Sequence, residues 1–226
     1  MIEINNLCFS YNSKAPYPLN NISLKIPKGA YVSVIGPNGS CKTTLVKLMI
    51  NHLKPCSGTV KIKTNKIGYV PQRVEGFNSQ FSITVKEVLS CHCSALKIKD
   101  KSLINRSLEN VHMLDFKNKL IGTLSGGQQQ KIFISRALLG YPDILFLDEL
   151  STGVDHVSQN EIYDLIKNLS QNLNMTILSV EHNLKMALKY STHILDLNDG
   201  TPTLYEIDDY KKLLNQENIF INRKVD

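Results

Sequence analysis

No stretch of this sequence approaches the roughly 18 to 20 consecutive apolar residues that a membrane-spanning helix requires. A helical span is therefore not expected within its 226 residues. The opening segment MIEINNLCFSY has neither the basic start nor the apolar core of a signal peptide, so the chain is expected to stay in the cytoplasm. Cysteine is sparse and irregular. The five thiols (Cys8, Cys41, Cys56, Cys91 and Cys93) are odd in number and lack framework spacing, which points to free thiols in a reducing compartment. Neither an internal repeat nor a low-complexity segment is visible. Excess charge is also limited. A formal net charge of +6 suits an anionic ligand or membrane surface. It is too small, and its lysines too dispersed, to argue for nucleic acid, and the basic cluster at Arg223 and Lys224 is short.

What is present is ordinary for a globular protein, with 42% hydrophobic and 20% charged residues. The length allows one large domain or two small ones. Residues 2–11 and 22–26 alternate like strands with one exposed face, and the β-branched run YVSVI (31–35) ends at Gly36. A helical pattern over 42–53 places Leu45, Leu48, Met49 and Leu53 on one face, and Pro55 and Gly58 mark its exit. Short strands are expected at 59–62 and 67–70. Residues 75–139 change character, with helical stretches at 85–96, 101–113 and 126–139. Strands resume at 144–148, 175–180 and 193–197, separated by helices at 158–172 and 184–190. Such alternation predicts an α/β fold with a largely parallel sheet and helices on both faces. From Asp208 a charged amphipathic helix leads into a loose end.

The segment Gly36-Pro37-Asn38-Gly39-Ser40-Cys41-Lys42-Thr43-Thr44 follows a strand and opens a helix. Backbone N–H groups at a helix start point toward an anion, and the helix dipole favours negative charge there. Gly36 and Gly39 permit the tight turn; Lys42 is placed to reach β- and γ-phosphates, and the Thr43 hydroxyl to ligate Mg²⁺. The pattern wants glycine where this chain has Cys41, so a glycine-rich turn without a ligand is the competing reading. A second signal lies at the end of the apolar run Ile144-Leu145-Phe146-Leu147, where Asp148 and Glu149 follow. Ligands bind at the carboxyl ends of parallel strands. One acid there can hold a Mg²⁺-bound water and the next can orient an attacking water, although a solvated acidic pair after a strand is also common.

Leu124-Ser125-Gly126-Gly127-Gln128 resembles the signature of ATP-binding cassette (ABC) ATPases, and it stands in the family order, about twenty residues before Asp148. The resemblance covers about residues 1–200. It implies a P-loop NTPase core with an N-terminal antiparallel β subdomain and a helical insertion. The core would be residues 1–74 and 140–207, the helical signature subdomain 75–139, and a tail 208–226. The signature opens a predicted helix, so its serine hydroxyl and glycine N–H groups would form a second anion site.

Further roles follow from the same resemblance. Tyr11 matches the aromatic that stacks on adenine. Gln72, in Gly68-Tyr69-Val70-Pro71-Gln72, matches the glutamine that touches Mg²⁺ and senses the γ-phosphate. Asp155, in Thr152-Gly153-Val154-Asp155, matches the loop that crosses to a partner subunit, and His182 matches the switch histidine. The chain departs from the pattern at four places. Cys41 replaces glycine, and Leu150 replaces the proline after the catalytic glutamate, loosening that turn. Lys131 replaces an arginine. Glu181 stands where Ser or Thr is usual, adding a negative charge beside the switch.

The resemblance implies a head-to-tail dimer with two ATP molecules between the subunits. The phosphate loop and Asp148-Glu149 of one copy would face Ser125 of the other. Glu149 would be the general base, His182 would hold the γ-phosphate and attacking water, and Lys42, the loop amides and Mg²⁺ would stabilise phosphate charge. Force would pass to a separate integral membrane permease, placing the chain at the cytoplasmic face of the membrane. About thirty residues separate Lys42 from Gln72. That compact segment and its flanking motifs look like the ATPases of zinc, manganese or iron importers, which work with an extracytoplasmic solute-binding protein. Another solute, or a degenerate subunit weakened at Cys41, is the alternative. Cys91-His92-Cys93 does not suit one metal ion, because adjacent helical residues project about 100° apart.

Overall fold

The computed structural model describes residues 1–72, 82–150, 154–197 and 202–222. In chain order its elements are β1 (Ile2–Phe9), β2 (Leu19–Ile26), β3 (Tyr31–Ile35), α1 (Lys42–Met49), β4 (Ser57–Ile62), β5 (Ile67–Val70), α2 (Val85–Ala95), α3 (Ser102–Glu109), α4 (Gly126–Leu138), β6 (Ile144–Asp148), α5 (His156–Leu173), β7 (Thr176–Val180), α6 (Leu184–Tyr190), β8 (His193–Asp196), β9 (Thr203–Glu206) and α7 (Ile207–Asn222). Two 3₁₀ turns, Leu114–Phe116 and Ile121–Thr123, precede α4. The chain divides into two units, Met1–Lys63 with Leu178–Asp226, and Thr64–Ile177.

In the first unit, β1 lies between β2 and β4 in an antiparallel sheet. Strict alternation along β1 would put Ile2 and Ile4 on one face and Leu7 and Phe9 on the other. All four are nonetheless buried. The register shifts between Ile4 and Leu7, with Asn6 at φ 47°, supply the extra residue that restores the phase. Gly58 faces this irregularity, where a Cβ would lie 2.3 Å from the Asn6 carbonyl oxygen.

The same unit holds β3, buried at all five positions and paired in parallel with β8 from Val32↔His193 to Ile35↔Asp196. The end of β7 lies beside β3, since the Glu181 N–H donates to the Val34 carbonyl at 3.0 Å. β9, which the sequence reading does not include, adds antiparallel to β8. α7 closes this layer. Tyr210 packs with Ile35, Ala187 and Ile194, and its hydroxyl donates to Asp196 at 2.9 Å.

In the second unit β5 and β6 pair in parallel from Ile67↔Ile144 to Val70↔Leu147. α2, α3 and α4 pack on one another, and α4 also touches β5 and α5. α2 and α4 each begin with a reciprocal capping box, Thr84 with Glu87 and Ser125 with Gln128.

Two helices end earlier than their apolar spacing predicts. α1 stops at Met49, because Asn51 takes a left-handed conformation at φ 59° and the His52 N–H returns to the Lys47 carbonyl at 2.8 Å. α3 stops at Glu109, with His112 at φ 56° and the Met113 N–H on the Leu108 carbonyl at 2.9 Å. Val111 and Met113 are still buried, so the apolar period runs on through a turn that is no longer helical.

Candidate functional site

β3 delivers the chain into the loop that begins at Gly36. Gly36 (φ +147°) and Gly39 (φ +84°) occupy backbone conformations that side chains rarely adopt. At Gly36 a Cβ would also meet Ser40 Oγ at 2.7 Å. Lys42 opens α1 and is buried, its ammonium folded over the loop onto the carbonyls of Gly36 and Pro37, each at 2.9 Å. The first turn of α1 contains no acidic residue. The Ser40 hydroxyl is buried and has no hydrogen-bond partner. A buried orphan hydroxyl, a lysine and the N–H groups of a helix start fit an oxygen-rich anion.

Cys41 is the N-cap residue of α1, at φ 67° and ψ 25°, and its side chain makes no cap bond. Its sulfur lies 3.7 Å from the Gly39 carbonyl oxygen. The residue that departs from the loop pattern thus occupies a left-handed conformation that glycine adopts without strain.

Tyr11 lies just beyond β1 and is 72% exposed. Its ring meets Phe9 edge-on with centroids 5.1 Å apart, and its hydroxyl is 3.1 Å from Thr44 Oγ1. An exposed aromatic face is therefore held beside the loop helix. His182 follows β7, at the strand end adjacent to that of β3, and is exposed. Asn183 after it caps α6, accepting from the Lys185 and Met186 N–H groups at 3.0 and 3.3 Å.

Glu181, the residue before His182, is 2% exposed, and its carboxylate accepts the Ser179 hydroxyl. β7 is buried at all five positions, and the chain reaches the surface only at His182. Burial, then the nearby Glu181 charge, push the Tyr31 phenol well above its ordinary range.

In the second unit, Asp148 ends β6 and is buried, and Glu149 follows at φ 52°. Leu150, which stands in the place of the family's proline, is buried at 1% exposure. Gln72 Nε2 donates to Glu149 Oε2 at 2.5 Å, and the Tyr69 hydroxyl donates to Asp148 Oδ2 at 3.5 Å. Burial and then the Asp148 charge raise the Tyr69 pKa. Sequence reasoning missed Tyr69, because only the β5/β6 register reveals its nearness to Asp148.

Ser125 caps α4. Its hydroxyl accepts the Gln128 N–H at 3.3 Å, and the Gln128 side chain accepts the Ser125 N–H at 3.0 Å. The serine proton remains available to donate to an anion. Gly126 is the first helical residue. Gly127 has a packing role the sequence does not show: a Cβ there would lie 2.7 Å from Ser158 Cβ on α5. Gln129 is buried and ties down the preceding turn, donating to the Ile121 and Leu124 carbonyls at 3.2 and 3.0 Å. Lys131 pairs with Glu161 at 2.7 Å. Asp155 caps α5, accepting from the Val157 and Ser158 N–H groups at 3.1 and 3.0 Å, and those N–H bonds hold its carboxyl below the usual range. Thr152 and Gly153 lie outside the described residues. Cys91 is exposed and Cys93 buried, so the two thiols of that helix face apart.

A glycine loop between a buried parallel strand and a helix, an acidic pair at the end of another parallel strand and a serine-capped glycine helix define a nucleotide-binding cassette. The chain belongs to the ABC transporter family, whose family model matches residues 19–152, and it is an ATPase of that family. It is 46% identical over 199 residues to a "Probable metal transport system ATP-binding protein" of Treponema pallidum, covering 88% of this chain and 83% of the relative. It is 37% identical over 227 residues to the zinc uptake system ATP-binding protein ZurA of Listeria monocytogenes, covering 91% and 88%. A dimeric ATP-binding cassette solved in a post-hydrolysis state with ADP and Pi superposes with a TM-score of 0.75 at 26% identity, over 92% of this chain and 99% of that one.

Proposed function

We propose that this chain hydrolyses ATP to power import of a divalent metal ion, zinc in the first instance, through a separate membrane permease. The observation that carries the cargo is kinship. Relatives named for metal transport and zinc uptake share 37–46% of residues over most of the chain. The compact segment before Gln72, which resembles that of the zinc, manganese and iron importer ATPases, supports the same class of cargo. Among the described residues no helix is long and apolar enough to cross a membrane, which accords with a separate permease and a peripheral place at the cytoplasmic face. An extracytoplasmic solute-binding protein would deliver the ion.

The loop amides and Lys42 would hold the β- and γ-phosphates, with Gly36, Asn38, Gly39, Ser40 and Cys41 shaping the approach and Thr44 behind them. Tyr11 would stack on adenine. Thr43, Asp148 and Gln72 are oxygen donors, the type a hard cation takes, so they fit Mg²⁺. Bound there, Mg²⁺ would neutralise charge on the phosphates. Glu149 would accept a proton from the attacking water and His182 would steady that water. Ser125, Gly126, Gly127, Gln128 and Asp155 would act across a head-to-tail dimer, on the partner's nucleotide.

Deleting the gene tests the cargo. Zinc uptake is expected to fall, growth to fail under chelation, and added zinc to restore it better than manganese. Normal uptake of both metals with a defect in another solute would overturn the cargo.

A further inference from the structure

We infer that Gln72 is a positioning residue for Glu149, separately from any contact it makes with a metal ion. Its amide nitrogen lies 2.5 Å from Glu149 Oε2. An ionised carboxylate only accepts, so the contact assigns the NH₂ end of Gln72 to Glu149 and leaves the carbonyl oxygen pointing elsewhere. One side chain therefore offers an oxygen at one atom and restrains the base with another. A hydrogen bond to a charged acceptor is among the strong ones, and orientation is what a base needs.

The pairing is built into the sheet. β5 and β6 run in parallel with a constant offset, Ile67↔Ile144 through Val70↔Leu147. Carried two residues past the strands, that offset sets Gln72 opposite Glu149. The apolar ladder that fixes the register thus also fixes the pair. Glu149 is the residue this bond orients. It lies past the strand end, in a left-handed conformation at φ 52°, and is only half-buried. The Tyr69 hydroxyl on β5 lies 3.5 Å from Asp148 Oδ2 at the end of β6, so the segment that carries Gln72 contacts the neighbouring acid as well.

The inference rests on Glu149 being the group that takes the proton. The test compares Gln72→Glu, Gln72→Ala and Glu149→Gln in the full-length protein. Gln72→Glu keeps an oxygen for the metal but exchanges the donor for a like charge. Steady-state ATPase would give kcat and KM, and calorimetry with Mg-ADP would give binding independently of turnover. The expected result for Gln72→Glu is a kcat at least about tenfold lower, with KM and the Mg-ADP Kd changed by no more than about threefold. In the Glu149→Gln background, Gln72→Glu should lower the residual single-turnover rate no further. Gln72→Ala should weaken both kcat and Mg-ADP binding. A Gln72→Glu protein with the parent kcat, or one whose kcat falls only in step with Mg-ADP affinity, would overturn the inference. Glu149→Gln hydrolysing at the parent rate would remove the base itself, and the inference with it. That failure is distinguishable, because it appears without any change at Gln72.

Discussion

Cys41 holds a left-handed backbone conformation in the phosphate loop, at φ 67°. For a side chain this costs roughly 1 to 2 kcal/mol. Glycine removes that cost but adds freedom to the unfolded chain, about 0.5 to 1 kcal/mol the other way. Cys41→Gly should therefore gain about 0 to 1.5 kcal/mol, a rise of at most about 3 to 6 °C in Tm for a chain of this size. It should bind ATP at least as tightly, since a Cβ no longer crowds the loop. Calorimetry and thermal unfolding check both; weaker ATP binding by the glycine variant would show that the thiol contributes contacts. The sulfur is half-exposed beside Lys42, at the helix start, where nucleotide would cover it. Alkylation followed by peptide mapping should label Cys41 ahead of buried Cys93, and Mg-ATP should slow it.

Helix starts carry much of the order in the second unit. Glu87 accepts both the N–H and the hydroxyl of Thr84 at 2.7 Å, and Asp155 accepts two N–H groups of α5. These bonds hold both carboxyls below their usual range. A folded-state value below the unfolded one adds stability above the ordinary carboxylate range, and that stability is lost as pH falls through the folded value. Glu87→Gln and Asp155→Asn should therefore lower Tm most near neutral pH, and the gap to the parent should close below about pH 4. A gap independent of pH would contradict this. The α4/α5 contact offers a packing test. Gly127→Ala would set a Cβ 2.7 Å from Ser158 Cβ, an overpacking worth about 1 to 3 kcal/mol. Gly127→Ala with Ser158→Gly should recover part of that stability in denaturant unfolding, because the second change removes the clashing atom.

At the scale of the whole molecule, the sequence was most legible where period and punctuation agree. YVSVI before Gly36 and ILFLD before Glu149 are buried throughout, and their ends carry the loop and the acids. It was least legible where tertiary contact overrides local pattern. The apolar period carries past the end of α3 because the turn at His112 leaves Val111 and Met113 buried, whereas beyond α1 the turn at Asn51 keeps only Leu53 half-buried. β9 has two half-buried side chains between two exposed ones and gives no alternation. The site was legible as motifs, whereas the Tyr69–Asp148 and Gln72–Glu149 contacts depend on register, and register is invisible along one chain. On the proposed mechanism each catalytic site is shared between two copies, Lys42 from one and Ser125 from the other. A Ser125→Arg protein mixed with a Lys42→Ala protein can form one intact composite site in the mixed dimer. ATPase activity is expected in the mixture that neither variant has alone; a mixture as inactive as its components would refute the shared site.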